Sequence, residues 1–118
     1  MRPIQPLKIH FLLLIYLTFI LQACASHSSK NRQIRVLSYN IHAGYGIDKK
    51  LNLKRIAKII KKQKADIVAL QEVDKKTKRS NFKNQAQLLA KATKMNFTFG
   101  KSMPFNDGEY GNAILSLA

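Results

Sequence analysis

The apolar positions change their period twice between Gln33 and Val73. From Gln33 to His42, Q-I-R-V-L-S-Y-N-I-H, apolar and polar residues first alternate and then turn mostly apolar, which predicts a strand entering a core. Ala43 to Gly46, A-G-Y-G, reads as a loop. From Leu51 to Lys64 the period becomes helical, with Leu53, Ile56, Ala57 and Ile60 on one stripe, Ile59 at its margin and Lys54, Lys58, Lys61 and Lys62 opposite. Asn52 is the expected N-cap. A short apolar run, Ile67 to Leu70, follows and predicts a strand buried on both faces, ending on Gln71 and Glu72. Strand, helix and strand in this order form a βαβ unit with parallel strands. Asn40 and Glu72 then fall at one edge of one sheet, the edge where open α/β sheets bind ligands.

After Glu72 the pattern is weaker. Asp74 to Ser80 reads as a charged loop, and a second helix is expected from about Phe82 to Lys94, with Phe82, Ala86, Leu89, Ala90 and Thr93 on its inner face. Phe97 to Gly100 reads as a strand, Met103 to Gly108 as a turn-rich loop, and Ala113 to Leu117 as a last short apolar run.

The first two dozen residues follow a different rule. Arg2 and Lys8 precede an apolar run from Phe11 to Leu21, too short to span a bilayer comfortably and suited to a signal peptide over residues 1–23. Leu21-Gln22-Ala23-Cys24 resembles a bacterial lipobox, so Cys24 is the expected lipidation site, against the alternative of a stray cysteine in an uncleaved or differently cleaved leader. Residues 24–32 then form a polar tether and 33–118 the folded domain. The expected location is the cell envelope, lipid-anchored at the outer membrane and facing the periplasm, with a secreted or periplasmic protein as the alternative.

Composition narrows the picture. The chain has 118 residues, 21 Lys+Arg against 6 Asp+Glu, and a formal charge of +15. One cysteine excludes an internal disulfide, and the length leaves room for one small domain. Such charge suits a polyanionic partner, nucleic acid or anionic lipid, and equally a solvated lysine-rich face. Gly44-x-Gly46 after a strand lacks the third glycine of a dinucleotide loop, with Lys49 in its place. Glu72 alone is either a metal-binding carboxylate or a solvated one paired with lysine; Asn40 is either a phosphate-binding amide or a turn former; His42 fits a loop or supporting group better than a catalyst.

S-Y-N-I-H (38–42), K-A-D-I-V-A-L-Q-E-V (64–73) and E-Y-G-N-A-I-L-S (109–116) together resemble the endonuclease/exonuclease/phosphatase superfamily, in the family's order and spacing from Ile34 to Ser116. The resemblance implies an α/β fold, here the first half of a four-layer α/β sandwich. It also implies Mg²⁺, with Mn²⁺ as a substitute, bound by Glu72 with Asn40 beside the metal and the scissile phosphate. Arg79 and the segment containing Asn112 match the pattern without an assigned role. The implied substrate is a phosphate ester, in nucleic acid or a phospholipid headgroup.

The family's second half carries an Asp and an Asn that handle nucleophile and phosphate, and a terminal Asp-His pair. Nothing here matches them: His10 lies in the leader, His27 in the tether, and Asp107 and Glu109 in the wrong segment. The expectation is therefore a domain with its C-terminal half missing, inactive alone and poorly soluble, with a catalytically dead, membrane-tethered basic binding protein as the alternative. No oligomer is indicated.

Overall fold

The computed structural model describes residues 33–117. The segments expected to be a signal peptide and a tether, with Cys24, lie outside the described residues, as does Ala118. Among the described residues, no helix is long and apolar enough to cross a membrane.

Strand β1, Val36–Asn40, leads through a 3-10 turn at His42–Gly44 to helix α1, Leu53–Gln63. Asn52 caps α1 as expected, its side chain accepting the Arg55 amide hydrogen at 3.1 Å. Lys64 closes the helix in the left-handed conformation. Strand β2, Ile67–Lys75, then pairs parallel with β1 from Val36↔Ile67 to Asn40↔Gln71. The βαβ reading holds.

A second 3-10 turn, Lys78–Ser80, precedes helix α2, Gln85–Thr93. The helix starts later than its apolar pattern suggests. Asn81 and Phe82 both take positive φ, and Asn84 supplies the N-cap by accepting from Gln87 N at 3.3 Å. Phe82 is therefore not on an inner helix face but 59% exposed.

Strands β3, Asn96–Phe105, and β4, Gly108–Ser116, form a hairpin, and the sheet order is β1-β2-β4-β3. The Met103–Phe105 part of the expected loop is strand. The turn shrinks to Asn106 and Asp107, both at positive φ, the backbone that a two-residue hairpin turn requires. Pro104 is tolerated because β3 is an edge strand.

Both helices contribute to one buried cluster, with Ile56, Ala57 and Ile60 from α1 and Ala86, Leu89 and Ala90 from α2. The sheet adds Val68, Leu70, Val73, Ala113 and Leu115. Burial in β2 alternates, so the strand is covered on one face only: Val68 and Leu70 are buried, whereas Ile67 and Ala69 are half-buried. The expectation of a strand buried on both faces is thus corrected. On the other face Ala69, Gln71, Thr98, Asn112 and Ile114 line a shallow depression.

Candidate functional site

Glu72 is not at the end of β2. The strand continues to Lys75 because β4 keeps pairing with it, Val73 opposite Gly111 and Lys75 opposite Glu109. The parallel ladder with β1, however, stops at Asn40↔Gln71. Glu72 therefore sits one residue past the parallel ladder, inside a register shift between Leu70 and Val73. Its φ is +56°, a left-handed backbone that L-residues with a Cβ adopt at a cost of about 1–2 kcal/mol. Gly111 faces the shift; a Cβ there would meet the carbonyl oxygen of Gly100.

This bulge turns the Glu72 carboxylate toward Asn40. Asn40 Nδ2 donates to Glu72 Oε1 at 2.7 Å. The Asn40 amide is itself oriented, since its Oδ1 accepts from His42 N at 2.9 Å. Backbone pairing continues beside it, with Ile41 N donating to Gln71 O at 3.1 Å. The two residues singled out from the sequence are brought together. Among the described residues, Glu72 Oε2 accepts no hydrogen bond and enters no ion pair.

Arg79 is placed differently. Its guanidinium makes a bidentate contact to Asp74, Nε to Oδ2 and Nη2 to Oδ1, both at 2.8 Å. It also lies over the rings of Phe105, at 4.4 Å, and Tyr110, at 5.6 Å. The Asp74 partnership raises the Arg79 pKa further. Asn112 is exposed on β4, in the shallow depression of the open face. His42 is exposed and contributes its backbone N–H to Asn40.

Three residues near the site were not singled out from the sequence. Asp74, fully buried, accepts from Arg79 and from Thr77 Oγ1 at 2.7 Å, so the expected charged loop is in part strand and in part core. Gln85, also fully buried, accepts from Asp74 N at 3.0 Å and donates to Ala43 O at 2.7 Å. Tyr110 has its hydroxyl pKa pushed up by burial, with the Glu72 carboxylate adding to the shift. The aromatic at position 110 was visible within E-Y-G-N, but its nearness to Glu72 depends on the β2–β4 register.

The site offers one oxygen donor of the kind that a hard divalent cation takes. Glu72 offers a carboxylate oxygen, and Mg²⁺ binds through one or two carboxylates, waters and substrate phosphate. In this arrangement Asn40 presents its NH₂ to Glu72, while its Oδ1 is taken by His42. Among the described residues, no group of three His, Cys, Asp or Glu side chains is placed to hold a metal.

The Exo_endo_phos model, described as Endonuclease/Exonuclease/phosphatase family, matches residues 37–116. The chain belongs to this family. The fold is similar to that of an endonuclease/exonuclease/phosphatase from Beutenbergia cavernae DSM 12333, with a TM-score of 0.57 and 23% identity over 70% of this chain. It is also similar to an endonuclease/exonuclease/phosphatase family protein from Leptotrichia buccalis C-1013-b, with a TM-score of 0.54 and 20% identity over 71% of this chain. The match spans 25% and 38% of the length of those two structures. A search of curated proteins gave no significant match. The described residues thus form part of the expected fold, a mixed α/β unit with a four-stranded sheet and two helices.

Proposed function

We propose that this chain carries the metal-binding glutamate of a Mg²⁺-dependent phosphodiesterase or phosphatase, with Mn²⁺ able to replace Mg²⁺. The hydrogen bond between Asn40 and Glu72 carries the reading. A neutral amide fixes one carboxylate oxygen without competing for charge, and the other oxygen would be left to ligate a cation. The cation, once bound, neutralises charge on a phosphate and on its leaving oxygen. Glu72 holds the ion, and Asn40 orients Glu72 and meets a phosphate oxygen through its remaining N–H.

The substrate class is a phosphate ester in nucleic acid or a phospholipid headgroup, and the basic surface supports either polyanion. The envelope location and the lipid anchor at Cys24 complete the proposal; acyl labelling lost in Cys24→Ser tests them. A second reading, a basic binding module without turnover, draws on Lys54, Lys58, Lys61 and Lys62, which form no ion pairs among the described residues.

The deciding test is metal binding. Mn²⁺ added to the ¹⁵N-labelled full chain should selectively broaden the Glu72 amide and the Asn40 side-chain resonances, and Glu72→Gln should abolish this. Broadening elsewhere, or broadening that survives Glu72→Gln, sinks the assignment. Hydrolysis of bis-p-nitrophenyl phosphate or plasmid DNA that Mg²⁺ supports and EDTA or Glu72→Gln removes, however slow, favours the first reading, and binding of plasmid DNA or anionic vesicles that neither EDTA nor Glu72→Gln alters favours the second. One carboxylate gives weak affinity and nothing described here activates water, so turnover by this chain alone should be low.

A further inference from the structure

We propose that Gln85 is the positioning residue of this site: its side-chain amide sets the spacing of Asn40 and Glu72 by tying Ala43 to Asp74 through the core. The proposal rests on the reading of Asn40 and Glu72 as the metal site.

Four hydrogen bonds and two short stretches of backbone close a ring. Asn40 Nδ2 donates to Glu72 Oε1, and Asn40 Oδ1 accepts from His42 N. His42 is bonded to Ala43, whose carbonyl accepts from Gln85 Nε2 at 2.7 Å. Gln85 Oε1 accepts from Asp74 N at 3.0 Å, and Asp74 leads back through Val73 to Glu72. Three of the backbone residues in this ring depart from ordinary strand geometry. His42, Ala43 and Glu72 all have positive φ, at 47°, 49° and 56°. Such conformations persist only where surrounding contacts over-determine them. Gln85 supplies that constraint on both sides at once.

Chemistry narrows the residue type. The position needs an acceptor for an N–H and a donor for a carbonyl on one short planar group. An ionised Glu cannot donate, Lys cannot accept, Met cannot donate and accepts only weakly, and Asn is one methylene too short. The fold also makes room for the amide. Gly44, at φ +84°, passes so close that a Cβ would lie 3.1 Å from Gln85 Nε2 and 2.7 Å from Leu51 Cδ1. Gln85 is the first residue of α2, placed by the Asn84 cap and by the bridge from Asn84 to Lys75. Its burial is complete, so water cannot substitute for either bond.

The test is Gln85→Met, a swap of similar size that removes both bonds, with Ile60→Val as a control for loss of core packing alone. Three signals are read by NMR on the full chain: Asp74 amide exchange, the Asn40 side-chain NH₂ resonances and the Glu72 ¹³Cα shift. Gln85→Met should speed Asp74 exchange about tenfold and move the Asn40 and Glu72 signals, while Ile60→Val moves neither. Mn²⁺ affinity should fall about tenfold in Gln85→Met, the usual effect of losing a partner that orients a ligand. Unchanged Asn40 and Glu72 signals in a folded Gln85→Met overturn the proposal. Should that variant not fold, the wild-type chain decides: slow exchange of the Gln85 side-chain protons and their Overhauser contact to Ala43 support it, and fast exchange overturns it. Failure of the metal reading looks different, because wild-type Mn²⁺ broadening is then absent while the Gln85→Met shifts remain.

Discussion

Asp74 and Arg79 form a bidentate ion pair whose two halves see different surroundings: the Asp74 side chain is fully buried and that of Arg79 is 37% exposed. Removing the exposed half strands the buried one. Arg79→Ala leaves the Asp74 carboxylate with Thr77 as its side-chain partner, and an uncompensated buried charge is among the larger single-site costs. The expected loss is at least about 2 kcal/mol by urea unfolding, discounted from the full buried-pair value because water reaches the guanidinium. A loss under about 0.5 kcal/mol, as at an ordinary surface position, would contradict this. A large loss would give Arg79 a structural role through Asp74.

The strands and helix up to Glu72 were legible because each has a clean period and a recognisable cap or loop. What followed was less so, for identifiable reasons. Phe82 falls on the apolar stripe of α2, but two left-handed residues, Asn81 and Phe82, break the chain before the Asn84 cap. Met103 to Phe105 carries a proline that suggests a loop, and only the sheet order shows that an edge strand accommodates it. Asp74 and Gln85 look like surface residues in any window of sequence. Their burial depends on Arg79, Thr77 and the Ala43 carbonyl, partners defined only by tertiary structure. The meeting of Asn40 and Glu72 was legible in part: the parallel βαβ unit puts the end of the β1–β2 ladder at one edge, but Glu72 reaches Asn40 from a bulge inside β2 and not from a strand end.

The open face of the sheet makes a second prediction. Ile114, opposite Ala69 and Thr98 on a central strand, is 47% exposed on that face. Exposed apolar surface on a sheet promotes association. Ile114→Thr keeps a β-branched side chain, so unfolding stability should change by less than about 0.5 kcal/mol. Light scattering of the full chain at matched concentration should fall. Equal scattering from both proteins would show that association starts elsewhere.

Glu109 gives a prediction in pH. Lys75 at 2.9 Å, aided by Lys101 at 3.4 Å, holds its carboxyl below the usual carboxylate range. A lowered folded-state pKa contributes stability that is present above the unfolded value of about 4.3 and lost as pH falls through the folded value. Glu109→Gln removes the contribution. Thermal melts of the two proteins should therefore differ at about pH 6 and converge as the pH drops below about 4. A difference that stays constant across this range means that Gln acts through packing and not through charge.

The last prediction concerns the backbone of Glu72. Ordinarily glycine in a strand is less stable than alanine by about 0.5–1 kcal/mol, because its unfolded chain has more freedom. At φ +56° the order should reverse, since alanine keeps the left-handed cost of about 1–2 kcal/mol and glycine does not. Glu72→Gly and Glu72→Ala both delete the carboxylate and the bond to Asn40, so comparing them isolates the backbone term. Glu72→Gly should be the more stable of the two by about 1 kcal/mol in urea unfolding of the full chain. Both should lose Mn²⁺ broadening at Asn40. An alanine variant as stable as the glycine one would mean that the bulge relaxes once the carboxylate is gone, so that the bond to Asn40, and not the β2–β4 register, holds the turn. With the predicted order, the register itself imposes the turn, and a glutamate stands where glycine would be less strained because the carboxylate is needed there.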